Sequence, residues 1–138
     1  MRLGVAVAFL LLSSSTAFAE FLNGYSDWQG AADIVKYAYV EGLYDSFVNN
    51  MTTDDQPWVI ARRAGVEECA LALKISPKMI SDAVTTHYQT YNVDWAIRPS
   101  AIFGRVMQEV CITYINAARR SFGLSEWKTP KGSLLSND

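Results

Sequence analysis

The chain has 138 residues, two cysteines, one histidine and a formal net charge of −2. A balance of 12 basic against 14 acidic side chains argues against nucleic acid and anionic membrane surfaces as partners, because both need a basic face. Half of the residues are hydrophobic, enough for one domain with a modest core that a covalent staple would strengthen.

Residues 1–19 read as a secretory signal peptide: a basic start at Arg2, an apolar run from Leu3 to Leu12, and small residues ending in Ala17-Phe18-Ala19. The apolar run is about half of the roughly twenty residues that span a bilayer. The exported chain is therefore expected to begin at Glu20, in a periplasmic or secreted setting, with no membrane contact after cleavage. An uncleaved anchor is the alternative. In that compartment Cys69 and Cys111 predict one disulfide. Closing a loop of about 42 residues contributes about 4 kcal/mol. A pair of buried free thiols is the rival reading; a zinc site is disfavoured because no closely spaced ligand pair exists.

Ser26 and Gln29 have the form of a capping box, with Asp27 in the first turn, so a helix is predicted from near Asp27 to about Val48. Trp28, Ala32, Val35, Tyr39, Gly42 and Leu43 form one stripe of it; Tyr37, Val40, Tyr44 and Val48 form a second. Gly42 is expected where another backbone comes close. A polar loop, residues 49–56, carries Asn50-Met51-Thr52, a glycosylation acceptor by pattern alone. Pro57 opens the next helix, and Gly65 suggests that the stretch from Trp58 to Leu73 is broken or irregular.

Ser76-Pro77 starts a helix whose apolar side carries Ile80, Ala83, Val84, His87, Tyr88 and Tyr91. Asn92 to Trp95 form a turn, and Pro99-Ser100 starts the clearest helix of the chain. Its face is Ile102, Phe103, Val106, Met107, Val110, Cys111, Tyr114, Ile115 and Ala118, and Gly123 ends it. Residues 124–138 are expected to be a flexible tail, except where Trp127 docks. No strand period persists. The expected fold is all-α: a small antiparallel bundle of four or five helices with one disulfide, spanning residues 20–123.

Little here points to catalysis. His87 reads as a packed ring rather than a general base, paired cysteines are not nucleophiles, and neither a phosphate loop nor a metal-ligand cluster is present. No cofactor or metal is expected, and the chain is read as a non-enzyme. Glu41 and Asp45, four apart on one helical face, read as a solvated face or as an acidic patch for a basic partner. Two carboxylates could serve glycoside hydrolysis, but neighbouring turns of one exposed helix rarely form such a site. Four tryptophans and seven tyrosines exceed what so small a core readily hides, and such side chains favour protein interfaces. Trp95, beside Asp94 and Arg98, either plugs the gap between two helices or meets a partner.

Cys69, Ser76, Val84, Tyr88, Trp95, Pro99-Ser100 and Cys111, with Tyr39-Val40-Glu41-Gly42 and Asp45 upstream, give an order of motifs that resembles the Rap/Tai type of small periplasmic immunity protein. The resemblance covers roughly residues 28–111. The chain departs from that pattern in its basic stretch around Arg62-Arg63 and in its long tail. The resemblance implies a disulfide-linked helical domain that binds and inhibits a peptidoglycan amidase delivered by type VI secretion, often as a homodimer. On that expectation the partner would meet Asp94, Trp95 and Arg98, and secondarily Glu41, Tyr44 and Asp45. The alternative is a small periplasmic acid-stress or chaperone-like protein that exposes apolar surface at low pH.

Overall fold

A computed structural model describes residues 21–49 and 55–136. The signal peptide, the glycosylation pattern and the last two residues of the tail lie outside the described residues. Five α-helices follow in order: α1 (Tyr25–Gly30), α2 (Asp33–Asn49), α3 (Pro57–Leu73), α4 (Pro77–Thr90) and α5 (Pro99–Ser121). A 3-10 turn, Asn92–Ala96, joins the last two, and the described residues contain no strand. The all-α bundle with one disulfide is the observed fold.

Local chemistry sets most boundaries. Proline stands at the first position of α3, α4 and α5, where its missing N–H costs nothing. Ser76 caps α4 by accepting the Met79 amide at 3.3 Å. Lys74 closes α3 in the left-handed region (φ 51°), and Gly123 does the same after α5 (φ 68°).

Several expectations are corrected. The helix foreseen from Asp27 to Val48 is two helices, interrupted at residues 31–32. Ser26 is not its cap: Gly24 takes that position, and the Asp27 carboxylate accepts the Asn23 amide at 2.9 Å. The break lets Trp28 bury completely and donate from Nε1 to the Thr85 hydroxyl (3.0 Å), while Val40 enters the core from α2. Ala32 and Val35, on the continuous stripe, are left exposed.

The segment around Gly65 is an unbroken helix. Gly65 is a contact point rather than an interruption, for a Cβ there would lie 2.4 Å from Ile115 Cα. The close approach expected at Gly42 does not occur, since nothing stands within 4 Å of a Cβ at that position. The backbones of α3 and α5 therefore touch at Gly65 and Ile115. One turn along α3, and one turn back along α5, Cys69 and Cys111 are joined with Cα atoms 5.5 Å apart. Stepping four residues forward on one helix and four back on the other is an antiparallel register, and this pair is the most extensive helix contact in the fold. Trp28, Val40, Val66, Val84, Tyr88, Ile102, Met107 and Ile115 fill the core around it.

The tail differs from expectation as well. Residues 125–135 run back along α5 instead of standing free. The Asn116 side-chain amide brackets the Trp127 backbone, donating to its carbonyl (2.9 Å) and accepting from its N–H (2.8 Å). Arg119 donates to the Ser125 carbonyl at 2.7 Å and lies 4.3 Å from the Trp127 ring. Arg105 donates to the Gly132 carbonyl at 2.9 Å. Trp127 docks as expected, and the segment after it forms a strap anchored at both ends.

Candidate functional site

The residues singled out by sequence separate into two regions. α4 has 14 residues, about 20 Å of helix, and the regions lie at its opposite ends.

At the start of α4, Glu41, Tyr44 and Asp45 come together on the wall of an open groove of about 280 Å³. Ala70 and Leu71 of α3, Ile75 in the connecting turn, and Pro77 and Ile80 of α4 supply its apolar lining. Burial, followed by the neighbouring carboxylates of Glu67 and Asp45, pushes the Tyr44 hydroxyl above its ordinary value. Burial is the larger cause, and the two carboxylates add to it in the same direction. The carboxylates of Glu41 and Asp45 are themselves exposed. An adjoining notch between α4 and α5 shares Ile75 and Ile80 and adds Met79 and Val110. Leu71, Met79 and Val110 are each about half or more exposed (74%, 51% and 49%). Apolar surface rimmed on one side by acid suits contact with another protein surface.

At the other end of α4 the three residues Asp94, Trp95 and Arg98 behave differently from one another. Arg98 is exposed. Trp95 is half exposed: its ring stacks on Tyr25 with centroids 4.9 Å apart, and Nε1 donates to the Tyr88 carbonyl at 2.9 Å. It closes the gap between helices with one face and offers the other to solvent, so both readings of this tryptophan describe part of it. Asp94 is fully buried and cannot meet a partner directly.

The surroundings of Asp94 form a polar centre that sequence reasoning missed. His87 Nε2 lies 2.8 Å from Asp94 Oδ2, and the Leu134 and Leu135 amides donate to the same carboxylate at 2.8 and 3.2 Å. Burial alone raises the carboxyl, but the Leu134 amide, His87 and the Leu135 amide more than offset it, and Asp94 sits below its ordinary value. An ionised carboxylate only accepts, so the His87 ring is the donor. The histidine read as a packed ring is one, with a partner seven residues away rather than solvent. The signal available for the strap was polar residues inside an apolar face: Asn116 and Arg119 are both buried on α5 beside Ile115.

Among the described residues no group of three or more His, Cys, Asp or Glu side chains could hold a metal ion. No described helix is long and apolar enough to cross a membrane. The disulfide is compatible with an oxidising compartment. Comparison with protein-family models, with curated proteins and with solved structures gives no match.

Proposed function

We propose that this chain is an exported binding protein that inhibits a cell-wall hydrolase, a peptidoglycan amidase, by seating against the rim of the enzyme's cleft. The observation that carries the reading is the groove in which Glu41, Asp45 and the exposed Leu71 surround Tyr44. A cleft lip bearing lysine or arginine beside an apolar side chain would match it in charge and in character. Occlusion needs complementary surface and no chemistry from the inhibitor. The resemblance of the motif order to the Rap/Tai proteins is the support for an amidase as target and type VI secretion as its route.

Capture from a periplasmic extract of the host, using the disulfide-linked chain as bait, tests the proposal. The expected result is recovery of an amidase whose activity the chain suppresses. Glu41→Gln combined with Asp45→Asn should weaken the capture. An amidase that binds this double variant as tightly as the parent would remove the groove from the mechanism, and recovery of no hydrolase would remove the function.

A second reading, a periplasmic acid-stress or chaperone-like protein, draws on a different observation. The strap is held through the Asp94 carboxylate, and protonating that group loosens its hold. On this reading an apolar dye binds at pH 2–3 and many unrelated proteins are captured there. Absence of acid-induced dye binding would count against it.

A further inference from the structure

One further cavity among the described residues belongs to neither region. It lies between α5 and the strap, has a volume of about 780 Å³, and is lined by Arg105 and Gln108 of α5 and by Lys128, Lys131 and Ser133 of the strap. Among the described residues no carboxylate lines it. Three cations therefore share one concavity in a chain whose net charge is −2. No ion pair among the described residues involves Arg105, Lys128 or Lys131. Of the other basic side chains among the described residues, Lys36, Lys78, Arg63 and Arg120 each have an acidic partner and Arg62 and Arg119 lie over aromatic rings; Lys74 and Arg98 have neither, but they stand apart from one another and do not line this cavity.

Arg105 is under-satisfied as well as unpaired. Of its five N–H groups one reaches the Gly132 carbonyl, and its Nε is buried with no acceptor. A buried donor on a cation without an acceptor is costly, and an entering anion would satisfy it; Arg62, Arg63 and Arg119 each bury one such nitrogen too, but only Arg105 does so on the wall of this cavity. Gly132, at φ 75°, turns the strap around the cavity and presents the carbonyl that fixes the guanidinium.

We propose that this cavity binds an organic phosphate. Lysines act as point charges toward phosphate oxygens, the guanidinium adds directed donors, and Gln108 adds a neutral one. The volume falls in the range of small-molecule sites and exceeds what a lone phosphate fills, so an esterified or condensed phosphate is the expected class. The site is independent of the groove on α2 and of the proposed inhibition.

The test is calorimetric titration of the disulfide-linked chain with pyrophosphate at about 0.15 M salt, where unspecific attraction between exposed charges is largely screened. The expected result is binding of one pyrophosphate per chain, weakened roughly tenfold or more in Lys128→Gln/Lys131→Gln. Both lysines are exposed, so that double variant keeps the fold. Lys78→Gln, which removes a cation that pairs with Asp82 and does not line the cavity, should leave the affinity unchanged. A second arm uses vesicles of phosphatidylglycerol against phosphatidylcholine. Sedimentation with the former that pyrophosphate reverses identifies a lipid headgroup phosphate as the ligand, whereas pyrophosphate binding without sedimentation identifies a soluble ester. No heat with pyrophosphate overturns the proposal. Binding that Lys128→Gln/Lys131→Gln leaves intact, or that Lys78→Gln weakens equally, overturns it too.

Discussion

Two acidic sites at opposite ends of α4 show how burial changes what a carboxylate does. Asp94, without solvent, is held by His87 and two backbone amides and works as an internal anchor that joins the α4–α5 connection to the strap. Glu41 and Asp45, in solvent, have no ion pair among the described residues and contribute a field over an apolar floor. The first arrangement stabilises the molecule, and the second leaves charge free for a partner. A buried carboxylate that loses its partners costs several kcal/mol, while an exposed one is nearly neutral to remove.

The sharpest way to break that contrast is Asp94→Ala. It leaves the His87 donor and two amides unpaired, and is expected to destabilise the fold by about 3 kcal/mol or more. Denaturant unfolding reads the loss, and fast amide exchange at Leu134 and Leu135 would locate it in the strap. An unchanged midpoint would mean that the strap contributes nothing to stability.

Acid should act at the same place more gently. The carboxyl of Asp94 lies below its ordinary value of 3.8 in the folded state, so the unfolded chain binds the proton first as pH falls. Its contribution is complete above that ordinary value and is lost as pH drops through the lower, folded one. Thermal unfolding followed from pH 5 downward should show an acid limb that Asp94→Ala flattens. A limb of equal steepness in the variant would assign it to other carboxylates.

Trp95→Ala should cost about 1–2 kcal/mol, because half of the ring is already in water and the loss is one stacked contact and one N–H bond. A partner-binding defect much larger than this stability loss would assign the exposed face of the ring to an interface.

The smallest effect on stability belongs to Glu41→Gln with Asp45→Asn. Relief of like charges one helical turn apart should leave the midpoint within about 0.5 kcal/mol of the parent, on the stabilising side if it moves. A marked loss of stability would show that these carboxylates hold structure, and the contrast with Asp94 would collapse.

Local chemistry determined much of this protein. The starts of α3, α4 and α5 are written in Pro57, Ser76-Pro77 and Pro99, the end of α5 in Gly123, and the buried faces of α4 and α5 in their spacing, because caps and periodicity act within about four residues. The pairing of Cys69 with Cys111 followed from their number and setting. Tertiary structure decided the rest. The break at residues 31–32 has no local breaker beyond Gly30, and arises because Trp28 and Val40 must both reach one core. Gly65, read alone, looks like a flaw, and only the backbone of Ile115 across the seam explains it. Asp94 looked exposed because it stands in a short turn between helices, where solvent is the usual neighbour. Its true neighbours include amides 40 and 41 residues further along the chain, a separation at which residue order carries no signal and only packing brings the groups together.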